Sequence, residues 1–265
     1  MSWITALRRR PAAGYAVVLL GLVAIGVGYG ALTTPGSSAS AATPGTVSPQ
    51  TIAQGKALFA VTCSSCHGRD AQGTSQAPSL VGVGAAAVDF QVGTGRMPLA
   101  KPDVQAPKQR VQFSNDEIAA LAAYVASLAP GPAIPDSQSV SGQGGNVAMG
   151  GELFRVNCAM CHNFAGSGGA LTRGKFAPSL RNVSGKHIYE AMVTGPQSMP
   201  VFNDDNISPQ AKNDIIAYLH SVDQEENVGG MNLGNIGPVS EGLFAWVFGL
   251  GLMVAFAVWL GKKAA

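Results

Sequence analysis

The chain has 265 residues, of which 12% are charged and 46% hydrophobic, and it contains 34 glycines and 16 prolines. The length suggests one to two domains, and the composition argues for two small ones. Average proteins have about 25% charged residues, so this chain is expected to be partly membrane-embedded and otherwise rich in loops. Five of the 17 basic residues lie at the chain ends, which leaves 12 basic against 15 acidic residues between them. Nucleic-acid binding needs a clustered basic face, so this distribution argues against a nucleic-acid partner.

The first element along the chain is an uncharged run at residues 12–32, which Arg8, Arg9 and Arg10 precede. As a helix it is long enough to cross a hydrocarbon core of about 30 Å. A cleaved secretory signal is the alternative, because Ala39–Ala41 has the small residues of a cleavage site. The length of the run favours a retained anchor. Residues 33–49 then predict a linker that is too polar and too broken to pack.

Two segments, Cys63–His67 and Cys158–His162, have the pattern C-x-x-C-H and together contain all four cysteines. This pattern is the attachment sequence of a c-type haem, in which both thiols bond to porphyrin vinyl groups and the histidine binds the iron. We therefore predict two covalently bound haems c. The predicted residues are Cys63, Cys66, Cys158 and Cys161 for attachment, and His67 and His162 as iron ligands.

Other kinds of protein also use pairs of cysteines. The cysteine pairs of a structural zinc site usually lie within about 12–20 residues of each other, whereas Cys66 and Cys158 are far apart. A thioredoxin-like motif would need a βαβ context that the sequence does not show. Two disulfides are conceivable in an oxidising compartment, but they would leave both histidines and the internal repeat unexplained.

The sequence around the first motif recurs around the second, which indicates duplicated domains. Gly55, Leu58 and Phe59 have the same spacing before the first motif as Gly150, Leu153 and Phe154 before the second. After the motifs, Ala77–Leu80 recurs as Ala177–Leu180. The landmarks keep their order while the loops between them differ in length, as expected for a pair of related domains.

Each repeat has the pattern of a helix, then loops, then a second helix. Apolar residues at helical spacing precede each motif, at residues 50–62 and 150–157. The last helix of each repeat follows a capping sequence, at Ser114 in the first and at Ser208–Pro209 in the second. The middles show no strand alternation, so we predict all-α domains. The predicted boundaries are 50–129 and 148–228 for the domains and 130–147 for a second unpacked linker.

A haem with one histidine ligand needs its second axial position filled, and Met97 and Met199 are the candidates. Both precede a proline in a glycine-containing loop, at equivalent places in the two repeats. The proline restricts the methionine to an extended conformation, so we predict that both thioethers bind iron. The alternative is core filling, which is the role we predict for Met192. We expect neither His187 nor His220 to bind iron.

Residues 242–260 form a second uncharged run, which Lys262 and Lys263 follow. The alternative of a buried core helix is disfavoured by the length of the run and by the flanking lysines. Basic residues flank the outer end of both runs, so the positive-inside rule places both termini in the cytoplasm. We therefore predict a multi-pass protein of the cell membrane, with both haem domains on the extracytoplasmic side.

The order of helix, C-x-x-C-H, proline loop, Met-Pro and C-terminal helix makes each repeat resemble a class I cytochrome c. The resemblance implies that Pro78 and Pro178 help to orient the proximal histidines. It also implies that Tyr124 and Tyr218 lie where the last helix packs on the first. The expected fold class is all-α, with two tandem class I cytochrome c domains flanked by N- and C-terminal transmembrane helices.

Two such domains between two membrane runs resemble the dihaem cytochrome c subunit of actinobacterial quinol–cytochrome c reductase, the cytochrome bcc complex. The resemblance implies an electron-transfer subunit of a translocase, without a catalytic residue or substrate site of its own. Its implied partners are a cytochrome b subunit, a Rieske iron–sulfur subunit and a cytochrome c oxidase, besides membrane lipid. The alternative is the electron-accepting cytochrome subunit of a periplasmic dehydrogenase. A fused oxidase subunit would need cysteines for copper, and a peroxidase would need an open iron position.

Overall fold

The structure is a computed structural model, and it describes residues 15, 18–24, 47–101, 103–224 and 238–264. Most of the predicted membrane run at 12–32 and of the predicted linker at 33–49 lies outside the described residues. Within that run, residues 18–24 are helical and exposed. Both C-x-x-C-H motifs lie in one compact unit, residues 44–265.

The first haem half consists of four helices. They are α1 (Pro49–Thr62), the one-turn α2 (Ser64–His67), α3 (Gly84–Gly93) and α4 (Asn115–Leu128). Helix α1 starts where the hydroxyl of Ser48 accepts a hydrogen bond from the amide of Thr51. Helix α4 starts with the capping box that the sequence predicts, in which the side chains of Ser114 and Glu117 each bond to the other's backbone amide. Both caps satisfy amides that the first turn of a helix leaves without partners.

The second half repeats this order and adds a short β-ribbon. Its helices are α5 (Val147–Asn157), α6 (Ala159–His162), α7 (Gly185–Thr194) and α8 (Pro209–Gln224). Strand β1 (Gly169–Ala170) pairs antiparallel with β2 (Phe176–Ala177) around the 3-10 turn Thr172–Gly174. The all-α prediction missed this ribbon because strands of two residues are too short to show alternation.

Helices α1 and α4, and likewise α5 and α8, cross at a glycine. A Cβ atom on Gly55 would overlap the carbonyl oxygen of Ala120, and one on Gly150 would overlap that of Asp214. No other residue type lets the two backbones approach so closely. The repeated glycine in the sequence therefore marks the helix crossing in each half.

An aromatic pair lies beside each crossing. The ring centroids of Phe59 and Tyr124 are 5.2 Å apart in the first half, and those of Phe154 and Tyr218 are 5.4 Å apart in the second. Such tilted pairs contribute about 0.5–1.5 kcal/mol beyond the apolar area that they bury. The tyrosines lie on the interface of the first and last helices, as the resemblance to class I cytochromes implies.

Each half has its own apolar core. The cores include Phe59, Ile118, Leu121, Tyr124 and Val125 in the first half, and Phe154, Ile188, Met192, Ile215, Ile216 and Leu219 in the second. Met192 is 2% exposed, which agrees with its predicted packing role. Cys63 packs against the first core and Cys158 belongs to the second, so each core positions one of the two motifs.

The stretch at residues 130–147 is not the unpacked linker that its composition predicts. The amide of Ala86 donates to the carbonyl of Pro132 at 3.1 Å, and the amide of Gly142 donates to Oδ1 of Asn213 at 2.9 Å. The stretch therefore packs on both halves. The prediction was wrong because backbone groups of a Pro/Gly-rich segment can find partners that composition does not reveal.

The last described element is α9 (Pro238–Ala264). Its segment Ser240–Lys263 has a mean hydropathy of 2.3, and in the described part of the chain it is the one helix long and apolar enough to cross a membrane. Lys262 and Lys263 lie in its last turn. The predicted apolar run at 242–260 is thus one continuous helix.

Candidate haem sites

Each C-x-x-C-H motif forms one helical turn that follows directly on a longer helix. The amide of His67 donates to the carbonyl of Cys63 at 3.0 Å, and the amide of His162 donates to that of Cys158 at 2.9 Å. This turn brings two thiols and an imidazole together within five consecutive residues. The same geometry in both halves is what paired thioether bonds and one axial ligand require.

The structure argues against the other uses of four cysteines. All four cysteines are free, so neither pair forms a disulfide. Burial raises the pKa of the Cys158 thiol to about 12, and burial likewise raises the pKa of Cys63. A zinc site needs thiolates, and these surroundings favour the protonated thiols.

The prolines that the resemblance singles out contact the histidines that are predicted to bind iron. Nδ1 of His67 lies 2.8 Å from the carbonyl oxygen of Pro78, and Nδ1 of His162 lies 2.9 Å from that of Pro178. A carbonyl can only accept, so Nδ1 must carry the proton and donate it. In a neutral ring this leaves Nε2 with its lone pair free for a metal. Burial also lowers the pKa of His162, which favours the neutral form.

Met97 and Met199 occupy equivalent positions in the two halves. Met97 and Cys63 both pack against the first apolar core, and Met199 packs against the second core, which contains Cys158. Each methionine is half-buried and lies in a loop after α3 or α7. A loop position leaves the thioether free to face a ligand, whereas a helix position would commit it to the core.

In the second half the predicted residues line one cavity. Its volume is about 980 Å³, and its lining includes Cys158, Cys161, His162, Pro178 and Met199. Cofactor sites are commonly clefts of about 300–1,000 Å³ with mostly apolar walls and a few placed polar groups. The thiols, the imidazole and the thioether all border this space, so the residues present fit a covalently attached haem.

Residues of the first half also line this cavity, which the sequence does not predict. They are Phe90, Thr94, Arg96 and the segment 105–108. Two glutamine side chains hold the segment in place. The side chain of Gln105 bonds to both backbone groups of Phe176, at 2.6 and 2.9 Å. The side chain of Gln197 bonds to both backbone groups of Ala106, at 3.0 and 3.2 Å.

A cluster of ionisable groups lies between α3 and α7. Nζ of Lys186 is 2.6 Å from Oδ2 of Asp89, while Nε2 of His187 is 3.9 Å from that oxygen and 4.0 Å from Oε2 of Glu190. Glu190 is fully buried, and burial together with Asp89 raises its pKa to about 9. Glu190 is therefore neutral at pH 7. His187 faces this cluster, and burial lowers its pKa.

Comparison with known proteins supports two cytochrome domains. The cytochrome c family model matches residues 52–129, and the model of cbb3-type cytochrome c oxidase subunit III matches residues 145–219. The chain is 41% identical over 271 residues to a cytochrome bc1 complex cytochrome c subunit of Corynebacterium diphtheriae, covering 97% of this chain and 95% of that one.

Two further relatives bear on function. A cytochrome bc1 complex cytochrome c subunit of Mycobacterium tuberculosis is 42% identical over 264 residues, covering 97% of this chain and 93% of the relative. A thiosulfate dehydrogenase electron acceptor of Stutzerimonas stutzeri is 33% identical over 121 residues, covering 41% of this chain and 53% of the relative. The first similarity extends over nearly the whole chain, and the second over less than half.

Proposed function

Because this chain belongs to the family of cytochrome c subunits of the cytochrome bc1 complex, we propose that it relays electrons from a cytochrome b and Rieske iron–sulfur complex to a terminal cytochrome oxidase. The chain carries two cytochrome c domains and hence two covalently bound haems c. The haems supply the one-electron redox chemistry, and the protein supplies their attachment, ligation and burial.

In this proposal each half uses the residues that the sequence predicts. Cys63 and Cys66 attach one haem, and Cys158 and Cys161 attach the other. The proximal iron ligands are His67 and His162, whose free Nε2 atoms follow from the Nδ1 bonds to Pro78 and Pro178. Met97 and Met199 complete the axial pairs. Ligation by His and Met raises the reduction potential, which suits delivery of electrons to an oxidase.

The proposal also includes two membrane anchors, with the haem domains outside the cytoplasm. Support comes from the apolar segment Ser240–Lys263 of α9, the lysines at its end, and the uncharged run at 12–32 behind three arginines. At about 1.5 Å per residue a helix of that length spans roughly 36 Å, enough for a hydrocarbon core of about 30 Å. A fixed carrier beside its donor and acceptor needs no diffusion step.

The observation that carries the proposal is the similarity along 97% of the chain to cytochrome bc1 complex subunits. A cytochrome that serves a periplasmic dehydrogenase is the second candidate, because part of the chain is similar to a thiosulfate dehydrogenase electron acceptor. That similarity covers 41% of this chain, the extent of about one haem domain with its flanks. It therefore supports a shared domain type more than a shared role.

Purification of the tagged full chain from its native membrane in mild detergent tests the proposal. We expect two haems c per chain by pyridine haemochrome titration, with a cytochrome b, a Rieske protein and an oxidase in the same preparation. We also expect quinol to reduce both haems and oxygen to reoxidise them. Co-purification with a flavin, quinoprotein or molybdenum subunit in place of cytochrome b would support the dehydrogenase role and contradict this one.

A further inference from the structure

The cavity of the second half has an unusual set of charges along its walls. Four cationic side chains line it, and no aspartate or glutamate does so among the residues that the structure describes. The cations are Arg96, Lys108, Lys175 and Arg181. Such a lining fits a ligand that brings its own negative charge.

Two of these cations already have partners within the second half. Nε of Arg181 donates to Oδ1 of Asp223 at 2.5 Å, and Nζ of Lys175 donates to Oγ of Ser198 at 2.9 Å. The other two, Arg96 and Lys108, belong to the first half. Of the lining cations, Arg181 alone has a carboxylate partner among the described residues, and two of the other three come from the first half.

Arg96 is the more informative of the two because it is buried. It is 9% exposed, and its guanidinium lies 4.7 Å from the centre of the Phe90 ring. Within the described ranges it forms no ion pair and donates no side-chain hydrogen bond. A guanidinium stays charged in proteins, and a buried charge without a counter-charge is costly.

The haem itself carries the missing negative charge. Its two propionate carboxylates lie at the edge of the ring away from the vinyl groups, and Cys158 and Cys161 take the vinyl edge. The planar fork of an arginine matches a carboxylate, and such charge-assisted bonds are among the strongest in proteins. We propose that Arg96, assisted by Lys108, binds the propionates of the haem that is attached to the other half of the chain.

In consequence the second haem site is complete only when the first half is docked on it. The paired bonds of Gln105 with Phe176 and of Gln197 with Ala106 hold the segment that carries Lys108 at the rim of the cavity. Arg96 precedes Met97, the proposed iron ligand of the first haem. The same short loop thus contacts both haems, one through a thioether and the other through a guanidinium.

Potentiometric titration of the full chain tests this assignment. A cation beside a haem favours the reduced form, because oxidation adds a positive charge to the iron. Arg96→Gln should therefore lower the potential of the second haem, with about a tenfold shift in its reduction equilibrium, or ~59 mV for one electron. The Met199→His variant, which changes the ligation of the second haem alone, identifies which of the two transitions is that haem's.

Arg110→Gln is the matched control, because it removes an equal charge from an exposed position just after the same loop. It should move neither transition by a comparable amount. Arg96→Lys keeps the charge and should restore most of the potential. A shift confined to the first haem, or an Arg96→Gln shift no larger than that of Arg110→Gln, would overturn the proposal.

Lys108→Gln provides a second test at an exposed residue whose loss the fold should tolerate. We expect a smaller downward shift of the same transition, since a lysine is a flexible point charge. If Arg96→Gln does not assemble with two haems, this variant decides the question. An unchanged second transition in Lys108→Gln would then contradict the proposal. The test depends on the two haems and not on the respiratory partners, so it stands or falls separately from the proposed function.

Discussion

The two haem halves carry the same landmarks but enclose their sites differently. His67 is half-exposed, whereas His162 is 8% exposed. The second cavity has walls from both halves, including Arg96 and the segment 105–108. Duplicated domains that pack together are thus no longer equivalent: each keeps its own attachment turn, while the contact between them reshapes the surroundings of one haem.

The largest expected effect concerns the helix crossing that both halves share. Gly150→Ala places a Cβ where the carbonyl oxygen of Asp214 lies, so α5 and α8 must separate. We expect a loss of roughly 3 kcal/mol or more in the free energy of unfolding, with loss of haem attachment in the second half. Circular dichroism during denaturant unfolding and the haem count per chain measure both effects.

Gly151→Ala is the matched control for this change on the same helix. Its Cβ would meet side-chain atoms of Tyr218 and Arg155 at 3.2–3.3 Å, so these need to shift by only a few tenths of an ångström and no backbone atom is displaced. An alanine within a helix gains about 0.5–1 kcal/mol over glycine, so the variant should be close to neutral. Equal destabilisation by both substitutions would show that the crossing does not depend on Gly150.

The next largest effect concerns the two methionines that are predicted as axial ligands. Met97→Leu and Met199→Leu keep the apolar volume, which usually costs less than about 1.5 kcal/mol, but remove the thioether. Each should abolish one thioether-to-iron charge-transfer band. Each should also lower the reduction potential of one haem by at least ~120 mV, which corresponds to a ~100-fold change in its reduction equilibrium. Met192→Leu serves as the control for a packed methionine. A retained band in either ligand variant would exclude that methionine as the ligand.

The next effect comes from Glu190, at the contact between the two halves. It should make the free energy of unfolding depend on pH. The pKa of Glu190 is raised to about 9 by burial and by Asp89, so the folded chain holds a proton that the unfolded chain releases near pH 4.5. The contribution of this proton to the free energy of unfolding is fully present below pH 4.5, and it is lost as the pH rises toward 9. We expect a loss of about 2 kcal/mol between pH 6 and 8, at no more than ~1.4 kcal/mol per pH unit.

Glu190→Gln removes this titration and should flatten the profile of unfolding free energy over the same range. The variant leaves Asp89, Lys186 and His187 in place, so only the titration of residue 190 is removed. If the variant and the parent chain lose stability equally between pH 6 and 8, Glu190 is not the group that titrates.

The smallest expected effect concerns the loop of the first half that borders the second cavity. Gln105→Ala removes two hydrogen bonds to the backbone of Phe176, each with a net contribution of about 0.5–1.5 kcal/mol. Because the site is exposed, we expect about 1 kcal/mol in total in the free energy of unfolding. Gln109→Ala, four residues along the same exposed segment, should have a smaller effect. A larger loss from Gln109→Ala would show that the bonds to Phe176 do not hold the loop.

Much of this arrangement could be predicted from local sequence. The family resemblance and the two covalent haems were confirmed by the comparisons, and the capping box at Ser114 was confirmed by the structure. The roles of Met97 and Met199 stay predictions. The membrane run at 12–32 also stays a prediction, whereas the run at 242–260 is a helix of suitable length and hydropathy.

One prediction was wrong and one element was not predicted, for the same physical reason. The stretch 130–147 packs instead of linking freely, and the ribbon of Gly169–Ala170 with Phe176–Ala177 was not expected. Both depend on backbone hydrogen bonds between residues that composition and periodicity treat separately.

The sequence by itself determined the chemistry of the two attachment turns, because two thiols and an imidazole within five consecutive residues need no distant partner. It also determined the order of helices, since this order depends on local spacing, whereas the role of Gly55 and Gly150 at the helix crossings emerged only from the tertiary structure. Tertiary structure alone decided that Arg96 lies in the cavity of the other half and that Glu190 loses its charge. Both outcomes follow from burial at the contact between the halves, where removal of water makes each charge depend on residues far away along the chain.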